Sequence, residues 1–570
     1  MALLQINNLS FSYPEASQKS LDNINLEVEE GELILLIGVS GCGKSTLLRH
    51  IKRELTPHGH KSGGVYYAGT AIEQLDPRIA AVEIGFVLQN PETQIVTDTV
   101  WHELAFGLEN LGLKSGEIRR KVAEMASFFG IDSWFRKSVD DLSGGQKQIL
   151  NLASIMAMQP KLLLLDEPTA QLDPIAAQEF LAMIEKINRD LAVTVILSEH
   201  RLEEVFPLAD RVVVMEKGRI VCADKPEKVA QVLGADSTQV IFKGLPSPIR
   251  IYSELPIGEK CPLTVREGRQ WLIQNVRPDL SEAEGQNQSI RIVKNKIVRS
   301  KPAIETKEIW FKYSSEGSDI LRGVSFQAYG GEMLCMLGGN GTGKTTLLGV
   351  LSGTLKIKRG QVWINGKKLA DYKHGELYQH NLAMLPQNPK ALFVSDTVQG
   401  DLEEAAGLIS KDKKVQQLKI AEVMEELGIA ELALRHPYDL SGGEQQKAAI
   451  AKLLLLRPKV ILLDEPTKGL DAHSKEGLAR IFARLCSQGV AIVVVTHDIE
   501  FAAEYGDRCA MMFDGEIVSE GNPQEFFAGN SFYTTAANRM ARGIFSQAVT
   551  CKDVIKLCQF PQNARVASSK

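Results

Sequence analysis

The chain has 570 residues, of which 44% are hydrophobic and 24% are charged, and its formal net charge is −5. This is the composition of a globular protein with several cores, and the acidic balance gives no overall electrostatic case for nucleic acid binding. No apolar run approaches the roughly 20 residues needed to cross a bilayer. The eight cysteines lack metal-ligand spacing, which indicates reduced thiols in a cytoplasmic protein.

The first predicted elements surround a glycine-rich loop. Residues 32–38 ("ELILLIG") predict a buried strand and residues 44–55 an amphipathic helix, with "GVSGCGKS" at the junction. A strand, this loop and a helix in that order predict a phosphate-binding loop, whose backbone N–H groups converge on phosphate oxygens. Lys44 is then expected to contact the β- and γ-phosphates, and Ser45 to ligate Mg²⁺.

The next motifs supply candidate chemistry. The apolar strand "LLLLDEPT" (162–169) ends in Asp166, expected to coordinate Mg²⁺, and Glu167, expected to act as general base on the attacking water. His200 follows the predicted strand "VTVILSEH" and is a candidate contact to the γ-phosphate. Gln89 in "VLQNPETQ" is interpreted as a sensor of the γ-phosphate and Mg²⁺ because its motif recurs later in the chain.

All these motifs occur twice. The loop recurs at an offset of 300 residues (Gly38 and Gly338); Gln89, the "DLSGG" motif and the Asp-Glu pair recur at 298, and His200 at 297. Ordered motifs at a near-constant offset indicate a duplicated domain. We predict halves at 1–235 and 302–535, a proline-interrupted linker at 236–301 that is not one long helix, and a loosely docked or disordered tail at 536–570.

The order phosphate-binding loop, Gln, "LSGG", Asp-Glu and His resembles the ATP-binding-cassette (ABC) ATPases over both halves. The resemblance implies an α/β fold: two P-loop NTPase domains in tandem, each with a helical signature subdomain. It also implies that the "LSGG" of each half completes the site of the other, so that the halves pair within one chain and a homodimer is not required. Neither site lacks a catalytic residue, so both are expected to hydrolyse ATP.

By this resemblance the cofactors are ATP and Mg²⁺, and the site residues follow from the matched motifs. The catalytic residues are Glu167, His200, Glu465 and His497. The Mg²⁺ ligands are Ser45, Gln89, Asp166, Thr345, Gln387 and Asp464. The nucleotide-binding residues are Tyr13, Gly38, Ser40, Gly41, Gly43, Lys44, Ser45, Thr46, Gln89, Ser143, Gly144, Gly145, Tyr313, Gly338, Asn340, Gly341, Gly343, Lys344, Thr345, Thr346, Gln387, Ser441, Gly442 and Gly443, the two tyrosines stacking on adenine.

The halves differ at three motif positions. Glu444 replaces Gln146 after the signature, and Thr496 rather than Glu199 precedes the histidine. Both changes are expected to make the sites unequal. Cys42 lies inside the first loop, and we expect its alkylation to block that site and bound ATP to protect it.

The segment at 89–113 ("QNPETQIVTDTVWHELAFGLENLGL") resembles the duplicated ATPases of energy-coupling-factor importers for vitamins, vitamin precursors or metal ions. That resemblance implies a peripheral protein at the cytoplasmic face of the cell membrane. Its partners would be an integral membrane scaffold subunit and a small membrane substrate-binding subunit, with no nucleic acid. The alternative interpretation of residues 101–111 is that they form an amphipathic surface helix with no role in docking a partner.

Two other tandem ABC chains remain alternatives. A sugar-importer ATPase is one, although such chains often carry one degenerate site and both are intact here. An ABC-F-like ribosome-associated ATPase is the other. Its only candidate RNA contact is the basic run at 291–301, which reads better as solvated linker.

Overall fold

The computed structural model describes residues 2–14, 18–236, 238–255, 258, 260–276, 301–314, 317–373 and 375–568, without the side chains of 560–568. The chain packs into two compact units. Unit 1 comprises Met1–Ser253 with Lys260–Thr264, and unit 2 comprises Glu254–Glu259 with Val265–Lys570. Most of the basic run at 291–301 lies outside the described residues.

Unit 1 is built from two sheets and a set of helices. Its strands are β1 (Ala2–Ser12), β2 (Leu21–Glu29), β3 (Leu33–Ile37), β4 (His60–Tyr67), β5 (Thr70–Ala71), β6 (Ile84–Val87), β7 (Leu162–Asp166), β8 (Thr194–Ser198), β9 (Arg211–Glu216) and β10 (Arg219–Asp224). Its helices are α1 (Lys44–Ile51), α2 (Pro77–Glu83), α3 (Val100–Asn110), α4 (Ser115–Phe128), α5 (Gly144–Met156), α6 (Pro174–Leu191), α7 (Leu202–Val205), α8 (Pro226–Gly234) and α9 (Ser247–Glu254).

Unit 2 contains α10 (Val265–Asn275), after which it repeats the pattern of unit 1. Its strands are β11 (Ile304–Phe311), β12 (Leu321–Ala328), β13 (Met333–Leu337), β14 (Arg359–Ile364), β15 (Lys367–Lys368), β16 (Leu382–Leu385), β17 (Val460–Asp464), β18 (Ala491–Val495), β19 (Arg508–Phe513) and β20 (Glu516–Gly521). Its further helices are α11 (Lys344–Leu351), α12 (Val398–Gly407), α13 (Lys413–Leu427), α14 (Gly442–Leu455), α15 (Ala472–Ser487), α16 (Ile499–Tyr505), α17 (Pro523–Gly529), α18 (Ala536–Ala541) and α19 (Cys551–Ser568).

The two units share one topology. An antiparallel sheet of order β2-β1-β4-β5 recurs as β12-β11-β14-β15, and a six-stranded sheet of order β10-β9-β3-β8-β7-β6 recurs as β20-β19-β13-β18-β17-β16. In each larger sheet only the outermost pair, β9–β10 or β19–β20, is antiparallel. The apolar runs at β3 and β7 are buried throughout, as expected of parallel strands covered on both faces. The predicted α/β tandem fold is confirmed.

Three local predictions need correction or refinement. The helix predicted over 44–55 ends at Ile51, because Lys52 adopts an extended conformation and its ammonium donates to the carbonyls of Ala80 and Ile84, both at 2.6 Å. The linker contains α9 and α10 and is not one long helix over its described residues. The prediction of a loose tail is wrong for residues 536–558, because Met540 in α18, Val554 in α19 and Val549 between the two helices are buried.

The helix α10 packs on α18 within unit 2, where it buries Trp271 and Leu272. Segments that sequence patterns assigned to a linker and a tail therefore form one helical pair. No helix among the described residues has the length and apolar character to cross a membrane.

Candidate functional sites

The carboxyl ends of β3 and β13 each lead into a glycine-rich loop and then a helix. Gly38 must be glycine, because a Cβ there would lie 2.4 Å from the carbonyl oxygen of Met215. Lys44 is buried and its ammonium donates to the carbonyls of Gly38 (2.9 Å) and Val39 (3.3 Å). The loop thus curls around its own lysine, which leads directly into α1.

The second loop has the same geometry. The Lys344 ammonium donates to the carbonyls of Gly338 (3.0 Å) and Gly339 (2.7 Å). The remaining predicted loop residues, Ser40, Gly41, Gly43, Asn340, Gly341 and Gly343, lie in these two turns between strand and helix. Both predicted phosphate-binding loops are therefore formed, each at the N-terminus of a helix that favours anions.

A buried aspartate lies beside each loop. Asp166, at the end of β7, accepts hydrogen bonds from the hydroxyls of Ser45 (2.9 Å) and Ser198 (2.8 Å). Burial, reinforced by the neighbouring Glu167, raises the pKa of Asp166, and burial likewise raises the pKa of Asp464 in unit 2. A bound cation would offset this cost of burying a carboxylate.

The carboxylate and hydroxyl oxygens beside each loop fit Mg²⁺, which prefers hard oxygen ligands and retains several waters. Ser45 with Asp166, and Thr345 with Asp464, would hold the ion in units 1 and 2. Over the described residues no group of three or more His, Cys, Asp or Glu could hold a metal ion. An ion at either site would take further ligands from nucleotide phosphates and water, and Gln89 and Gln387 stay predicted ligands.

The residue after each aspartate is a glutamate in a strained backbone conformation. The φ angles of Glu167 and Glu465 are 47° and 50°, in the left-handed region that non-glycine residues rarely adopt. The N–H of Glu167 donates to the carbonyl of Ser198 (3.0 Å), and that of Glu465 to the carbonyl of Val495 (2.9 Å). The neighbouring strand thus holds the turn that presents each carboxylate.

Each glutamate is paired with the predicted histidine. In unit 1, Nε2 of His200 lies 2.7 Å from Oε1 of Glu167, while the amide of Gln89 donates to the other oxygen at 2.9 Å. In unit 2, Nε2 of His497 lies 3.1 Å from Glu465, whose pKa burial raises to about 7. A carboxylate of raised pKa next to a phosphate site is suited to accept a proton from water.

The residue before the histidine differs between the two halves, and it makes different hydrogen bonds in each. Glu199 is 2% exposed, and its carboxylate accepts hydrogen bonds from the backbone N–H groups of Thr169 (3.0 Å), His200 (2.8 Å) and Arg201 (3.3 Å) and from the Thr169 hydroxyl. It ties the turn after β7 to the loop that carries His200. In unit 2, Thr496 meets the Thr467 hydroxyl at 3.4 Å and accepts from the N–H of Asp498 at 3.0 Å.

The predicted adenine-stacking tyrosines lie beside the loops. The hydroxyl of Tyr13 is 3.2 Å from that of Thr46, and the hydroxyl of Tyr313 is 3.1 Å from that of Thr346. Each tyrosine packs edge-on against a phenylalanine, and Tyr313 is 68% exposed. An exposed ring fixed at its hydroxyl end keeps a face available for stacking.

The "LSGG" segments begin the helices α5 and α14. Ser143 and Ser441 cap these helices in reciprocal capping boxes, with Gln146 in unit 1 and Glu444 in unit 2. Gln146 and Glu444 therefore perform the same capping role despite their difference in charge. The glycines Gly144, Gly145, Gly442 and Gly443 occupy the first turns of these helices. The hydrogen bonds described for the two serines lie within these helix starts.

Sequence reasoning missed a matched pair of acidic residues. Glu103 is 5% exposed and accepts from the N–H groups of Val96 (3.1 Å) and Thr97 (2.8 Å); Asp401, at an offset of 298, is 1% exposed and accepts from the N–H of Val394 (3.0 Å). The shared offset, already found for the glutamines, is the signal that identifies the pair.

Comparison with known proteins agrees with this geometry. A family model described as ABC transporter matches residues 21–170 and 321–468, which together are just over half of the chain. This protein belongs to the ABC transporter ATP-binding family. It is similar to proteins described as ABC transporter ATP-binding proteins: one of Bacillus cereus, 44% identical over 565 residues and 98% of both chains, and one of Methanosarcina mazei, 34% identical over 92% of this chain and 90% of the relative.

Among solved structures, this ABC protein is similar to CbiO1 from Clostridium perfringens, part of the ABC transporter complex CbiONQ. The identity is 29%, the match covers 43% of this chain and 97% of that one, and the TM-score is 0.38. As an ABC ATP-binding subunit, the chain carries two ATPase domains that bind and hydrolyse ATP. ABC ATPases work with membrane components.

Proposed function

We propose that this ABC protein is the energy-coupling ATPase of an importer of the energy-coupling-factor type, for a vitamin, a vitamin precursor or a metal ion. It acts at the cytoplasmic face of the membrane with an integral scaffold subunit and a small substrate-binding subunit. Support comes from the sequence resemblance at residues 89–113 and from one structural observation. In each unit an exposed valine lies on a fixed loop that follows the glutamine proposed to sense the γ-phosphate.

In unit 1 this feature is Val96, which is 66% exposed and seven residues after Gln89. The buried Glu103 carboxylate fixes the loop through the Val96 and Thr97 N–H groups. The neighbouring helix α3 adds Trp101, 44% exposed and stacked on His102. An exposed apolar side chain on a fixed loop, followed in the chain by an exposed aromatic ring, suits the apolar face of a partner helix.

Unit 2 presents Val394, 71% exposed, at the matching position. Its loop is fixed by Asp401, which pairs with the Lys452 ammonium at 2.8 Å, and the same ammonium donates to the Leu392 carbonyl at 2.8 Å. The two glutamines preceding these loops are proposed to sense the γ-phosphate. A partner segment seated on a valine would therefore follow the state of the nucleotide.

In the proposed cycle, water attacks the γ-phosphate and its proton passes to Glu167 or Glu465, giving ADP and phosphate. Lys44 and Lys344 neutralise developing phosphate charge, and His200 and His497 hold the base and the γ-phosphate. We propose that Ser143–Gly145 complete the second site and Ser441–Gly443 the first. ATP then favours the closed pair and hydrolysis releases it, because nucleotide drives only states it contacts differently.

The test is affinity purification of the tagged chain from its native cells in mild detergent with ATP. Co-purification of a small set of multi-span membrane proteins is expected, and their identity would define the substrate. The double variant Val96→Asp/Val394→Asp should lose them while binding ATP normally. Val221→Asp, at a 55% exposed position on β10, is the matched control and should retain them.

Recovery of ribosomal subunits without membrane proteins would contradict the proposal and favour the translation-factor alternative. Retention of the membrane partners by the double variant would exclude the two valines as the docking residues.

A further inference from the structure

The hydroxyl of Tyr533 contacts the first glycine of the second phosphate-binding loop. The backbone N–H of Gly338 donates to the Tyr533 hydroxyl oxygen at 3.2 Å, while the Gly338 carbonyl accepts from the Lys344 ammonium at 3.0 Å. A single residue therefore connects this tyrosine to the phosphate-binding lysine. A Cβ at position 338 would lie 2.3 Å from the Met512 carbonyl oxygen, so the loop backbone is closely packed on that side.

The segment after Tyr533 is rigidly held. Thr534 and Thr535 are 2% and 1% exposed. The Thr534 hydroxyl donates to the Phe527 carbonyl at 2.8 Å, and the Thr535 hydroxyl accepts from the N–H of Asn538 at 3.1 Å. Asn538 in turn donates to the Ala548 carbonyl at 2.8 Å. The tyrosine thus projects from a fixed backbone, which favours a defined position for its hydroxyl.

The position of unit 1 that matches Tyr533 carries a residue without a hydroxyl. A glutamate three residues after the histidine anchors a helix start in each unit: Glu203 accepts from the N–H of Ser247 at 2.9 Å, and Glu500 accepts from the N–H of Ala536 at 2.8 Å. These bonds define equivalent positions in the two units. Gly244 lies three residues before Ser247, and Tyr533 lies three residues before Ala536. Glycine has no side chain and therefore no hydroxyl.

We propose that Tyr533 is a positioning residue of the second ATP site. By accepting the Gly338 N–H it fixes the start of the loop at residues 338–343, and so holds Lys344 and the loop N–H groups in the arrangement that binds phosphate. Preorganised donors bind more tightly because less order is lost on binding. The C-terminal segment therefore strengthens nucleotide binding at the second loop alone.

The test is Tyr533→Phe, which removes the hydroxyl and keeps the ring. It is made in two backgrounds: Lys44→Ala, which leaves binding to the second loop, and Lys344→Ala, which leaves binding to the first. Calorimetric titration with a non-hydrolysable ATP analogue and Mg²⁺ measures the dissociation constant of the analogue. In the first background Tyr533→Phe should raise this constant about threefold to tenfold, which is the effect expected from the loss of one hydrogen bond. It should be unchanged in the second.

Phe532→Ala is the control, since that neighbouring side chain is 93% exposed, and it should leave both dissociation constants unchanged. A purely structural role for Tyr533 would lower the thermal unfolding midpoint without separating the two backgrounds. An unchanged or lowered dissociation constant in the Lys44→Ala background, or an equal rise in both backgrounds, would overturn the proposal.

Discussion

Nε2 of His200 lies 2.7 Å from one carboxylate oxygen of Glu167, and the other oxygen accepts a 2.9 Å hydrogen bond from Gln89. The carboxylate is held from both sides in the turn that follows β7. A group proposed as general base is thereby fixed by the residue proposed to sense the γ-phosphate. In unit 2 the contact of His497 with Glu465 repeats the first half of this arrangement at 3.1 Å.

The double variant Glu167→Gln/Glu465→Gln should lower steady-state ATPase activity by at least about 100-fold, because the amide cannot accept the proton of the attacking water. ATP binding should persist, and ATP-bound protein should accumulate in the closed state. A phosphate-release assay measures the loss of ATPase activity, and binding of a fluorescent nucleotide measures the retained ATP binding. Normal turnover by the double variant would disprove the base assignment.

Glu199→Thr places in unit 1 the residue that unit 2 has at 496. The shorter side chain leaves the buried N–H group of Thr169 and the partly buried N–H group of His200 without their carboxylate, and we expect the free energy of unfolding to fall by about 2 kcal/mol. ATPase activity should also fall, since the His200 loop loses an anchor. Chemical denaturation checks the stability. Glu227→Thr, on an exposed part of α8, is the control and should change it by less than about 0.5 kcal/mol.

The buried His50 should make the stability of unit 1 depend on pH. Burial lowers the pKa of His50, with Lys61 acting in the same direction and the Thr46 carbonyl and Glu73 opposing it. Below about pH 6.5 the unfolded chain binds this proton more readily than the folded one, so acidification destabilises the fold. His50→Val, the residue at the matching position 350, should remove this loss between about pH 7 and pH 5.

Denaturation curves over that range, with His58→Val at an exposed position as control, measure the difference in slope. Parallel pH profiles for wild type and His50→Val would exclude His50 as the source.

Cys42 is part of the first loop, but it is only 3% exposed because its side chain packs into a buried apolar cluster, so the expected alkylation of this thiol in the native protein is not supported. Seven of the eight cysteines are buried and Cys222 is partly exposed. A maleimide reagent should therefore label Cys222 first, and ATP should not protect it. Peptide mass mapping after brief labelling checks this, and rapid ATP-sensitive labelling of Cys42 would contradict it.

The sequence predicted those parts of the sites that depend on local motifs. Each of these motifs is continuous in the sequence, so Lys44 could be placed in a loop between a strand and a helix, and Asp166 at the end of a strand, from the sequence alone. The sequence shows Glu199 only as a difference between the halves, because its role depends on Thr169, 30 residues away. Tyr533 lies 195 residues after Gly338, and no sequence periodicity predicts a hydrogen bond between residues so far apart in the chain.

The sequence pattern does not reveal the packing of the tail, for a related reason. Short helices such as α18 carry little hydrophobic periodicity, and their stability comes from packing against distant segments rather than from local pattern. Glu500, which anchors the start of α18, lies 36 residues before it.

The pairing of α10 with α18 bears on how the gene could be divided. A stop codon after residue 535 would delete α18 and expose Trp271 and Leu272, so truncation of an apparently dispensable end would yield an aggregation-prone product. Separate expression of the halves with a break after residue 235 would leave Glu203 without the helix it anchors. A break after residue 276 would likewise separate α10 from α18, so the two fragments should recover function only when both are produced together.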